Sequence, residues 1–309
     1  MINAPLRWLF AWFTGGVFVA GVICCAHRAA VDSITAATGA PAGRVITTIV
    51  KEPDGDWLEI KLRRAQPYEN FYTRLYSGKL DELPAPVPAP RRPPVLITQT
   101  NRQGYYQIFI DNAKRTQTLT VRVLRRRSKG NKRADIVAIS ISNRLGVAIV
   151  DGSVGSFKCY DDGVGLFQAR YGFSFFETAT NTFMVRAGVL SNALITTIHG
   201  SIRHIRSRGD IINTEVRPGT DRFFATGPVG NRDVRRIKAG GTITGCGFFM
   251  GPAGFGDNWD TPTGHLTGIQ AGSKKAPGVI EHTTIQSSNG VDTVDAIIGP
   301  DVYINGVPL

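Results

Sequence analysis

Histidine is scarce in this 309-residue chain. There are five, and none lies between Arg28 and Ile198. That long stretch offers no imidazole for acid–base work near neutral pH. Cysteine is as sparse: Cys24, Cys25, Cys159 and Cys246 are the full set, with no C-x-x-C pair among them. A zinc site is therefore not expected, and two thiols outside the apolar N-terminus are too few for a disulfide framework. A reducing compartment suits this cysteine usage best. Acidic residues are in deficit, 24 against 36 Lys and Arg, which leaves a net charge of +12. A balance of that kind suits a polyanionic partner such as nucleic acid or an acidic membrane surface. No long segment carries a 3.6-residue apolar period, which argues against helical architectures. No repeat of fixed period is visible either, so a solenoid is not expected.

What the chain does have falls into three parts. Residues 1–28 contain Trp8–Ala26, an uncharged run of 19 residues. About 20 apolar residues span a bilayer core, so the run is read as a retained membrane anchor, with cleavage after Ala26 as the alternative. Residues 29–94 form a polar connecting region. It holds a possible strand pair around Pro53-Asp54-Gly55 and the tyrosine-bearing Pro67–Lys79, and it ends in the proline-dense Glu82–Pro94. That proline run reads as an extended linker and a domain boundary. Residues 95–309 read as all-β. Val95–Thr98, Tyr105–Ile110, Thr118–Leu124, Asp135–Ile141, Gly146–Val150, Phe167–Phe176, Phe183–Val189 and Ala193–His199 are short β-branched or aromatic runs between turn residues. Strands at such spacing suggest a sandwich or barrel.

The most pointed stretch is Thr242–Ile285. Gly245-Cys246-Gly247 sets a thiol on backbone free to turn tightly, and Gly268-Ile269-Gln270-Ala271-Gly272 follows a Gly/Pro-rich loop, Gly251–Gly264. Together with Ala134-Asp135-Ile136-Val137-Ala138-Ile139, these residues resemble the chymotrypsin-like viral cysteine proteases of the picornavirus type. The resemblance implies a two-barrel domain after the anchor and linker, with Cys246 as nucleophile and Asp135 as the acid. It implies an oxyanion hole at Gly245 and Cys246, and a pocket at His265, Gly268, Ile269 and Gln270. It also implies a polypeptide substrate, polyprotein processing, no cofactor, and attachment to host intracellular membranes. The chain departs from the pattern at the base. Thr100-Asn101 stand where the histidine is expected, and neither accepts a proton from a thiol. Either the site has lost its base or His199 supplies it.

The loop Arg125-Arg126-Arg127-Ser128-Lys129-Gly130-Asn131-Lys132-Arg133 holds six cations in nine residues. With Arg203, Arg206 and Arg208 and with Arg235, Arg236 and Lys238, it suggests contact with RNA phosphates without base readout. A second class of function stays open beside the protease: a membrane-anchored or virion-surface β-rich protein that binds or builds and performs no chemistry.

Overall fold

β-branched and aromatic residues at alternate positions make the strands, and parallel pairing stacks them into coils. The computed structural model describes residues 44–65, 96–99, 105–219, 232–250 and 264–309. An antiparallel hairpin comes first, β1 (Arg44–Lys51) and β2 (Trp57–Ala65), followed by the antiparallel pair β3 (Leu96–Gln99) and β4 (Tyr106–Ala113). The chain then winds through successive coils. The first three are β5 (Thr118–Val123) with β6 (Ala134–Asn143), β7 (Leu145–Val150) with β8 (Gly152–Cys159), and β9 (Val164–Ala169) with β10 (Gly172–Thr178). From the fourth coil a third, short strand enters. β11 (Thr182–Ala187), β12 (Leu190–Ser191) and β13 (Leu194–Thr197) make that coil, and β14 (Ile202–Ser207), β15 (Ile211–Ile212) and β16 (Glu215–Pro218) make the fifth. The sixth has β17 (Val234–Ala239), β18 (Ile243–Thr244) and β19 (Gly247–Phe249); the seventh has β20 (Leu266–Ala271), β21 (Val279–Glu281) and β22 (Thr283–Gln286). The last is β23 (Val291–Asp295), β24 (Ile297–Ile298) and β25 (Val302–Ile304), closed by β26 (Val307–Pro308) antiparallel to β25.

Each coil strand pairs in parallel with its counterpart one coil on, and with β1, β2, β3 and β26 added antiparallel at the edges the sheets have 10, 11 and 5 strands. This is a parallel β-solenoid. The all-β expectation holds. The two-barrel arrangement is not what the described residues form, because barrel sheets close on themselves whereas these run open from an edge strand at one end to another at the far end. The hairpin β1–β2 also belongs to the solenoid, since β2 pairs with β5, although the sequence places it in the connecting region.

A repeat is present after all, and it is one of position. Coils begin at Leu145, Val164, Thr182 and Ile202, roughly 20 residues apart, the period of a solenoid unit. In the 11-stranded sheet one inward column reads Ile108, Ile139, Phe157, Phe176, Ile195, Val216, Phe248, Ile285. In the 10-stranded sheet it reads Leu62, Leu119, Ala148, Phe167, Val185, Ile205, Ile237, Ile269. Any apolar side chain suits these columns, so residue identity does not recur. Each fully buried Val, Leu, Ile or Phe among them contributes on the order of 1.5–3 kcal/mol. Phe157, Phe167, Phe173 and Phe176 meet as one aromatic cluster between the second and third coils, with ring centroids 4.3–6.2 Å apart.

One corner of the three-stranded coils carries its own ladder. Asn192, Asn213, Gly245, His282 and Asp301 stack there with φ of 52°, 46°, 65°, 47° and 55°. The left-handed conformation turns the chain sharply, and Gly, Asn and Asp tolerate it best. Asn213 Nδ2 donates to Asn192 Oδ1 at 3.3 Å, and His282 Nδ1 lies 3.0 Å from Asp301 Oδ2.

Candidate nucleic-acid interface

The corner ladder explains Gly245-Cys246-Gly247. Gly245 is the left-handed residue, and Cys246 takes the inward place that Ala193, Thr214, Thr283 and Val302 fill in the neighbouring coils. Cys246 is only 4 % exposed. Its Sγ lies 3.2 Å from the Thr244 carbonyl and 3.5 Å from that of Ile211. Burial pushes the thiol up to about 11, against the hydrogen bonding that favours the thiolate. A nucleophile needs the opposite: exposure and a thiolate at neutral pH.

The other residues of the expected site are elsewhere. Asp135 lies on β6, which is five strand pairings from β19 in the same sheet, so roughly 24 Å separates it from the Cys246 corner at ~4.8 Å per strand. Its N–H donates to Glu52 Oε1, and its Oδ2 accepts from Asn131 Nδ2. His199 is exposed and follows β13, whereas Cys246 precedes β19, so the two stand at opposite ends of the strands. Thr100 and Asn101 lie outside the described residues, as do most of the Gly251–Gly264 loop, Trp8–Ala26, the tyrosine-bearing segment and the proline run. The catalytic set of Cys246, Asp135 and His199 is therefore not brought together. Gly268, Ile269 and Gln270 lie in coil strand β20, in a different sheet from the strand that follows Cys246: Ile269 belongs to the inward column, and Gln270 Oε1 accepts from Arg236 Nη2 at 2.8 Å.

His265 has a different set of neighbours. Its Nε2 is 3.0 Å from Asp292 Oδ1 and its Nδ1 is 3.5 Å from Ser287 Oγ, while its backbone N–H donates to Asp233. The order Ser–His–Asp is that of a hydrolase triad, but Ser287 is fully buried and its Oγ accepts the Leu266 N–H. The hydroxyl has no approach for a substrate, and the group ties the corners of adjacent coils together.

The cations, by contrast, do assemble. In the 10-stranded sheet Arg186, Arg206 and Lys238 lie in register across β11, β14 and β17, and His204 pairs with Arg236. Arg203 and Arg235 occupy the next outward place on β14 and β17, and both are exposed. Rows ~4.8 Å apart sit within one Debye length, about 8 Å at physiological salt, so these charges reinforce one another. His204 registers the field. Its pKa is lowered, first by burial and then by Arg206, Arg203, Arg235 and Arg236. Phe183 is 48 % exposed beside them, with the Arg203 guanidinium 5.0 Å over its ring and the His204 ring edge-on at 5.7 Å. The sequence displays two of the three strand clusters, but it gives no sign that Arg186 joins them or that Phe183 is an exposed platform.

The Arg125–Arg133 loop is the second basic feature. Arg125, Arg126, Arg127, Lys129, Lys132 and Arg133 are all exposed. The loop backbone is clamped: Asp56 accepts the N–H groups of Gly130 and Lys132, Asp54 accepts that of Asn131, and Ser128 Oγ accepts the Trp57 N–H. Arg133 stacks over the Tyr171 ring at 4.3 Å. Among the described residues no helix is long and apolar enough to cross a membrane. Comparison of the chain with protein-family models, with curated proteins and with solved structures returns no match.

Proposed function

We propose that this chain is a binding protein for single-stranded RNA, a β-solenoid whose basic face engages the phosphate backbone and performs no chemistry on it. The observation that carries the reading is the register of Arg186, Arg206 and Lys238 beside Arg203, Arg235, Arg236 and the exposed ring of Phe183. Cations that track a backbone, combined with an aromatic surface on which a base stacks, are the usual means of holding a single strand without sequence preference. A clamped loop carrying six more cations is a second basic feature of the same chain. Trp8–Ala26, on this reading, tethers the solenoid to a membrane. A cysteine-protease role would have to run through Cys246, and its burial together with the distance to Asp135 supplies no support for it.

The test is fluorescence anisotropy of a labelled oligouridine RNA across a salt series. Arg186→Ala/Arg206→Ala/Lys238→Ala should weaken binding to all sequences alike. It should also flatten the dependence of log K on log salt by about 2, since each phosphate contact on a single strand contributes about 0.7. An unchanged affinity and salt slope in that variant would reject the assignment.

A further inference from the structure

The turn between β1 and β2 brings three carboxylates together, and none of them serves the basic face directly. Glu52, Asp54 and Asp56 alternate along Glu52-Pro53-Asp54-Gly55-Asp56, and Gly55, at φ 97°, lets the chain fold back. One carboxylate oxygen from each lies within 4.8 Å of the others. Several of these oxygens already accept backbone N–H groups: Asp54 Oδ1 from Asp56, Asp54 Oδ2 from Asn131, Asp56 Oδ1 from Gly130, Asp56 Oδ2 from Lys132, and Glu52 Oε1 from Asp135. A carboxylate oxygen has a second lone pair, so those bonds leave capacity on every oxygen.

Glu52 is the telling member. The residue is 2 % exposed, yet among the described residues its Oε2 has no hydrogen-bond partner. The charges acting on it are those of Asp135, Asp54 and Asp56, all carboxylates. A buried acceptor left unmatched among like charges is costly unless something positive fills the space.

We propose that Glu52, Asp54 and Asp56 form a Ca²⁺ site that locks the N-terminal hairpin onto the first coil. The donor set is all oxygen, the preference of a hard cation. Ca²⁺ accepts flexible, irregular oxygen cages, whereas Mg²⁺ demands near-ideal octahedral geometry and keeps several of its waters, so carboxylates already held in place by backbone N–H groups suit Ca²⁺ better. The site joins parts of the chain far apart in sequence. The same three residues hold the Arg125–Arg133 loop and the start of β6, and the adjoining Lys51 carbonyl accepts the Tyr106 hydroxyl at 2.7 Å. Bound Ca²⁺ would fix the carboxylates that position that loop.

The experiment uses the full chain in detergent, stripped with a chelator, and titrated with Tb³⁺ and then with Ca²⁺ or Mg²⁺. Trp57, next to Asp56, supplies the sensitising ring. Tb³⁺ luminescence should saturate at one ion per chain, and Ca²⁺ should displace it at lower concentration than Mg²⁺. Calorimetric titration with Ca²⁺ alone should give a matching single site. Glu52→Gln removes a charge and keeps an acceptor oxygen for the Asp135 N–H, and Asp54→Asn removes a charge and keeps an acceptor for one of its two N–H donors, Asp56 or Asn131. Each should weaken Ca²⁺ binding by about tenfold or more with the β-type circular dichroism spectrum intact. No saturable Ca²⁺ binding, equal affinity in both variants, or displacement by Mg²⁺ as effective as by Ca²⁺ would each overturn the proposal.

Discussion

Replacing Phe176 by alanine tests the solenoid at its densest point. The side chain is fully buried in the inward column of the 11-stranded sheet. Its ring stacks 5.3 Å from Phe157 at an interplanar angle of 7°, with Phe167 at 5.4 Å and Phe173 at 6.2 Å. Truncating a buried phenylalanine costs about 3–5 kcal/mol through lost transfer energy and the cavity left behind. Each aromatic contact adds about 0.5–1.5 kcal/mol beyond burial, so the upper end of that range is expected. The loss falls on two interfaces at once, because the third coil packs between the second and the fourth. Solenoid stability is close to a sum of unit and nearest-neighbour terms, so a weak third coil should uncouple its two sides. Urea unfolding followed by circular dichroism gives the total loss. Segment-resolved hydrogen exchange should show β5–β8 and β14–β20 opening together in the parent chain and separately in the variant. Phe176→Leu keeps most of the volume and should cost under about 1.5 kcal/mol. If Phe176→Ala loses no more than the ~0.5 kcal/mol typical of a surface change, the column is not packed as described.

Other outcomes follow from the thiols and the basic loop. In a Cys24→Ser/Cys25→Ser background, Cys246 and Cys159 should resist alkylation at neutral pH until the chain unfolds, because burial pushes them up to about 11 and about 12; rapid labelling of native Cys246 would reopen a chemical role. Both folded values lie above the ordinary thiol value of 9.0, so the folded state holds its protons longer. Stability should therefore be unaffected by these groups below pH 9 and should fall as pH rises through about 11, by a few kcal/mol. Cys246→Ala should remove part of that alkaline loss in a denaturant titration against pH. Arg125→Ala/Arg126→Ala/Arg127→Ala should lower RNA affinity and flatten the salt slope by about 2 without changing the thermal midpoint, since all three side chains are exposed. A falling midpoint with an unchanged slope would make the loop structural.

The strands were legible in the sequence because alternation and β-branching act locally. Thr118–Leu124 became Thr118–Val123, Asp135–Ile141 lies within Ala134–Asn143, and the hairpin around Pro53-Asp54-Gly55 formed as read. Phe167–Phe176 hid a corner, since Arg170 and Tyr171 separate β9 from β10 in an otherwise apolar run. What the sequence could not decide was which strand meets which. A period of two is the same in an antiparallel barrel and a parallel coil, and the inward columns accept Ile, Leu, Val, Phe or Ala, so no repeat of identity betrays the repeat of position. The same limit governed the site. Gly245-Cys246-Gly247 carries a real backbone requirement, a left-handed corner, but only stacking on Asn213 and His282 shows that the corner turns a coil and buries the thiol. Arg186, Arg206 and Lys238 are scattered along the chain and become one row only when three coils lie in register. Local chemistry set the elements; long-range pairing, which no local pattern encodes, set their neighbours.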